Sequence, residues 1–188
     1  MPFRSPVDDV EIPNLSVFDY LFGSLAAEDA GRIALVDGAS GAETSYGALV
    51  AQIQGVAGAL AARGINPGDV VALHSPNVPA FAAAFHGILR AGAAATTVNA
   101  LYTAGEIESQ LRDSGAKMLI TVSPLLPQAL AAATAAGIER VIVMDGAEGH
   151  ESLRDLLMEQ AAAPDVSFDP ATHVAVIPYS SGTTGKPK

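Results

Sequence analysis

The sequence predicts an α/β fold, a mostly parallel sheet with helices on both faces. Two observations carry this: short apolar runs of strand length alternate with helix-length stretches, and glycine or proline marks the junctions between them. A third is composition. Of 188 residues, 49% are hydrophobic and 16% charged, enough to build a core and unlike a disordered chain.

The first thirteen residues carry prolines at 2, 6 and 13 and read as an extended arm. Val17, Leu21 and Leu25 recur every fourth residue, which predicts a helix over 15–27. Residues 32–37 read as a short strand and 38–41 as a turn. Ser45 is a natural helix cap, Leu49, Ile53, Val56 and Leu60 form one apolar stripe, and Gly64 sits where a left-handed C-terminal cap belongs. Pro67 and Gly68 turn the chain into a strand over 69–74.

The alternation then continues with a helix over 77–91 and a strand over 93–98. Thr103 and Glu106 make a capping box, opening a helix that closes at Gly115. Strands follow at 117–121 and 140–144, with helices at 124–136 and 152–162 and a final strand at 172–177. Residues 163–170, with a proline at 164 and another at 170, are the expected linker. The predicted organisation is an arm and first αβ unit over 1–66, an alternating β/α subdomain over 67–170, and a strand with its loop over 171–188.

Charge and composition exclude several functions. Twenty acidic against ten basic residues give a formal charge of −10, which repels nucleic acid and anionic membranes. Cysteine is absent, and with it disulfides and thiolate chemistry. The N-terminus has no apolar signal segment, and no apolar run approaches the roughly 20 residues that span a bilayer. A cytoplasmic protein without membrane or nucleic-acid partners is expected. Any site for an anionic substrate must be positive locally, through lysine, backbone N–H groups or a bound cation.

Such a site is legible at residues 178–188, Pro-Tyr-Ser-Ser-Gly-Thr-Thr-Gly-Lys-Pro-Lys. Ser180, Ser181, Thr183 and Thr184 can donate to phosphate oxygens. Gly182 and Gly185 let the backbone turn tightly and present N–H groups to an anion. Lys188 adds a positive charge for a leaving pyrophosphate. The two glycines are too close for a Walker A loop. A solvated Ser/Gly/Thr turn is the bland alternative, but it explains neither the full order of residues nor the lysine.

That order resembles the phosphate-loop signature of the adenylate-forming superfamily: acyl-CoA synthetases, luciferases and peptide-synthetase adenylation domains. Residues 44–49, 64–72, the Pro76 and Asn77 pair, 89–92, 99–103 and Glu106 are similar to further segments of that superfamily. Ala100 departs from it, standing where proline is usual. The Ser180, Ser181, Gly182 triplet after Tyr179 most resembles 4-coumarate or cinnamate–CoA ligases, and medium- or long-chain fatty acyl-CoA ligases are the competing subgroup.

The resemblance implies the reaction. An acid and ATP, with Mg²⁺, give an acyl-adenylate and pyrophosphate, and CoA then displaces AMP. It implies that Ser180, Ser181, Gly182, Thr183, Thr184, Gly185 and Lys188 hold the ATP phosphates. Superfamily members are roughly three times this length. The chain is therefore expected to be the incomplete N-terminal portion of the large AMP-binding domain, with no catalytic residue and no metal ligand of its own. Alone it is expected to be inactive and to self-associate through apolar surface. The alternative of another class is a stand-alone nucleotide-binding module without catalysis.

The four histidines, at 74, 86, 150 and 173, lack metal-ligand spacing. His86, on the helix of Phe81, Phe85 and Leu89, reads as a packed side chain, and His74 as a strand cap. Asp8, Asp9 and Glu11 read as a solvated acidic arm.

Overall fold

The computed structural model describes residues 5–180. Chain order is α1 (Val17–Phe22), β1 (Ile33–Val36), β2 (Glu43–Ser45), α2 (Tyr46–Ala62), β3 (Val70–His74), α3 (Pro79–Arg90) and β4 (Ala94–Val98). Then come α4 (Ala104–Ser114), β5 (Ala116–Thr121), α5 (Leu126–Ala136), β6 (Val141–Val143) and α6 (Leu153–Met158).

Four strands form a parallel sheet in the order β4-β3-β5-β6. Side chains alternate between its faces with the two-residue period of a strand. Val71, Leu73, Met118 and Ile120 meet Val56 and Leu60 of α2 and Ile88 of α3, with Leu156 of α6 in the same cluster. Ala72 and Leu119 point the other way, to Ile107 and Leu111 of α4 and Ala129 and Ala132 of α5. Both faces are thus covered, as parallel strands require. A smaller cluster joins Phe18 of α1 to Leu49, Ile53 and Ala83.

The best-marked helix forms as its sequence dictates. The Ser45 hydroxyl accepts from the Ala48 N–H, the stripe Leu49, Ile53, Val56 and Leu60 is buried, and Gly64 adopts φ +84°. Helix α4 opens with the full Thr103–Glu106 capping box and closes at Gly115 in the left-handed region.

Several boundaries differ from expectation, each for a local reason. Helix α1 spans six residues because Ser16 caps it and the chain leaves it at Gly23. Helix α6 ends at Met158, with Gln160 at φ +49°, and Glu159 is drawn onto Arg63. Strand β2 was not expected. It pairs antiparallel with β1 because the Asp37 carboxylate accepts from the Ala39 and Ser40 N–H groups and so closes the turn. The strand expected over 172–177 is instead a single parallel bridge between Ala95 and Val176. An extended ladder would offer the Ile177 carbonyl to a main-chain N–H, but the Thr96 hydroxyl takes it at 2.9 Å, and Pro178 has no N–H to give.

Candidate functional site

Helices α3 and α4, which follow the adjacent strands β3 and β4, lie on opposite faces of the sheet. Where successive connections diverge in this way, a crevice opens beyond the carboxyl ends of the strands, the place where open α/β sheets hold their ligands. Here it is an open cleft of about 650 Å³. Ser75 and Asn77 reach it from the end of β3, Asn99 from the end of β4, Phe81 from α3 and Gln110 from α4, and Tyr179 closes one side. Among the described residues the lining is hydrogen-bonding and carries no lysine, arginine or carboxylate.

The segment from Ala175 to Ser180 runs beside β4 toward this crevice. The Ala95 N–H donates to Ala175 O and the Ile177 N–H to Ala95 O, each at 2.9 Å. Beyond the bridge, side chains take over. Thr96, fully buried, donates to the Ile177 carbonyl and accepts from Gln110 Nε2 at 2.8 Å, while the same nitrogen donates to Thr97 O at 3.0 Å. Tyr179 donates its hydroxyl to the Asp113 carboxylate. Partial burial, with that carboxylate beside it, pushes the Tyr179 phenol up to about 12, so it remains a donor at neutral pH.

Of the residues expected to hold phosphate, Ser180 stands exposed at the end of this segment. Ser181, Gly182, Thr183, Thr184, Gly185 and Lys188 lie outside the described residues. His74 ends β3 as expected and is fully buried, its Nδ1 3.3 Å from Thr121 Oγ1 and its Nε2 without a hydrogen-bond partner among the described residues. Burial holds its pKa below the ordinary histidine value. Sequence reasoning missed Thr96, Gln110 and Asp113. A signal existed for Gln110, a polar residue on the apolar stripe of α4 between Ile107 and Leu111.

Comparison with known proteins agrees with this architecture. The sequence profile described as AMP-binding enzyme matches residues 23–188. A 4-coumarate–CoA ligase 5 of Oryza sativa subsp. japonica is 38% identical over 99% of this chain and 34% of its own length. The crystal structure of an anthranilate CoA ligase in complex with anthranoyl-AMP superposes with a TM-score of 0.84 at 27% identity, covering 94% of this chain and 34% of that one. A long-chain-fatty-acid-CoA ligase from Archaeoglobus fulgidus gives a TM-score of 0.85 over 99% of this chain and 38% of its own, and at 24% identity it speaks to the fold alone. The chain spans about a third of the length of the curated relatives it matches.

Proposed function

The chain belongs to the AMP-binding enzyme family, and on that premise we propose that it forms the phosphate-gripping front part of an ATP-dependent acid–CoA ligase acting on aryl-propenoic acids. The observation that carries the reading is the 178–188 segment. Its hydroxyls, glycines and lysine follow a strand-like stem that runs beside β4 toward the crevice. A carboxylate is a poor electrophile. Joining it to the α-phosphate of ATP creates the leaving group that a thiol can displace, and Ser180–Lys188 would hold the β- and γ-phosphates as pyrophosphate departs. Among the described residues no cluster of three or more His, Asp or Glu is placed to ligate an ion. Mg²⁺ would share the charge of the ATP phosphates.

The preference for an aryl acid rests on the 38% identity to the rice 4-coumarate–CoA ligase and on the likeness to an enzyme solved with anthranoyl-AMP. A crevice carrying Phe81, Tyr102 and Tyr179 is compatible with a planar ring nearby. No helix among the described residues is long and apolar enough to cross a membrane, and the acidic charge disfavours nucleic acid.

The test uses a protein of the relatives' length that carries this chain, with ATP, Mg²⁺ and CoA. Thioester formation with 4-coumarate or cinnamate should have a higher kcat/KM than with octanoate or palmitate. If octanoate outpaces 4-coumarate, the aryl preference fails while the acid–CoA ligase reading stands. The 188-residue chain alone should show no acid-dependent ATP–pyrophosphate exchange. Exposed Tyr20, Leu21, Ile33 and Val36 should make it self-associate, and a monodisperse monomer by light scattering at high concentration contradicts that.

A further inference from the structure

Three residues of α4 are buried, and Gln110 is the polar one among them. Its side-chain nitrogen is spent on Thr96 Oγ1 and Thr97 O, and its oxygen is buried without a hydrogen-bond partner among the described residues. Burying a primary amide is costly unless it is hydrogen-bonded, and here the nitrogen is bonded while the oxygen, among the described residues, is not. What these bonds reach is the Ile177 carbonyl, through the Thr96 hydroxyl. One turn along the same helix, Asp113 takes the hydroxyl of Tyr179. The two contacts land on either side of Pro178, where the sheet offers one bridge and no further ladder.

A glycine-rich segment cannot supply its own precision, because glycine leaves the backbone free to adopt many conformations. Groups that stabilise a departing phosphate must nevertheless be held to within about half an ångström. A stem fixed at defined points limits the directions from which the loop can be entered. We propose that Thr96 and Tyr179, held by Gln110 and Asp113 of α4, are positioning residues for the phosphate loop that fix the direction in which the chain enters Ser180. The proposal rests on the reading of residues 180–188 as an ATP grip, and it assigns to α4 a task beyond packing.

The experiment compares Thr96→Val, Thr96→Ser and Tyr179→Phe with the unsubstituted protein of full family length. Thr96→Val keeps the shape of the side chain and removes the relay. It should raise KM for ATP about tenfold while KM for the acid stays within about twofold. Thr96→Ser should restore the ATP value, and Tyr179→Phe should raise it by a smaller factor. No change in the Val and Phe variants, an equal rise in both KM values, or failure of serine to rescue overturns the proposal. Amide hydrogen exchange of residues 175–180 is followed in the same proteins. Faster exchange in the Val and Phe variants supports the anchor, and unchanged exchange refutes it. If the unsubstituted protein shows no ATP–pyrophosphate exchange, the ATP reading fails and the exchange data alone judge the anchor. If Thr96→Val does not fold, the half-buried Tyr179→Phe carries the test.

Discussion

Burial depresses the pKa of His74 and of His86, the second of which packs edge-on against Phe22 and Phe85 at centroid distances of 5.4 and 5.3 Å. In the unfolded chain both rings take up a proton near pH 6.5, the ordinary value, whereas in the folded chain they resist until lower pH. Between those limits the unfolded state binds more protons, so stability is full above about pH 6.5 and declines as pH falls below it. Urea melts of wild type should show that slope between roughly pH 6.5 and 5, and the double variant His74→Gln, His86→Gln should flatten it; an unchanged slope would assign the pH dependence to other groups. At the same scale, the loop's two lysines should differ. In the phosphate-loop pattern that the segment resembles, Lys188 falls at the fixed position and Lys186 at the variable one. Lys188→Ala should cost adenylation about 10²–10³-fold in rate and Lys186→Ala little, and equal effects would mean the phosphate contact has been misassigned.

Helix α2 depends on its cap. Replacing Ser45 by alanine leaves the Ala48 N–H without its acceptor and should cost about 1 kcal/mol, measured by chemical denaturation. Glycines within the helices divide by what surrounds them. A Cβ on Gly87 would stand 2.4 Å from Val56 Cγ1, where α3 crosses α2, while one on Gly105 of α4 would meet nothing within 4 Å. Gly87→Ala should therefore destabilise by about 1–3 kcal/mol through overpacking, and Gly105→Ala should stabilise by up to about 1 kcal/mol through helix propensity. A gain at Gly87 would show that α2 and α3 can separate without loss. The elements that could be read in sequence were those whose instructions are local: the Ser45 cap, the Thr103–Glu106 box, the Gly64 and Gly115 terminators and the apolar strands of the sheet. Those misread depend on distant partners. The 172–177 segment has strand-like residues, yet its pairing is decided by a Thr96 hydroxyl some eighty residues earlier. Helix α6 ends beside Arg63, which no periodicity within 152–162 reveals. The site divides in the same way. The proposed phosphate-binding signature is contiguous in sequence and, Ser180 apart, lies outside the described residues, whereas Thr96, Gln110 and Asp113 meet its stem only after the sheet has assembled.

One side chain ties the first third of the molecule to its last. Arg63, at the end of α2, is 7% exposed, and its guanidinium is shared by the carboxylates of Glu151 and Glu159 while also donating to Ala59 O at 2.9 Å. It therefore fastens α2 to the loop after β6 and to the C-terminal end of α6. Hydrogen bonds from Arg63 hold both carboxylates below the ordinary glutamate value. The planar fork suits this duty because it can serve two carboxylates and a carbonyl from separate edges, which a single ammonium cannot do. Arg63→Met should lower the melting temperature at neutral pH, and Arg63→Lys should recover only part of the loss. The pH dependence identifies the cause. With folded-state values below the unfolded ones, the two glutamates stabilise the fold fully above the ordinary carboxylate range, and this contribution is lost as pH falls through their depressed values. The gap in melting temperature between wild type and Arg63→Met should therefore be widest near neutrality and narrow below about pH 4. A gap of constant size across that range would mean that Arg63 acts through contacts that do not titrate, such as its hydrogen bond to Ala59 O and the packing of its stem, instead of through the two carboxylates.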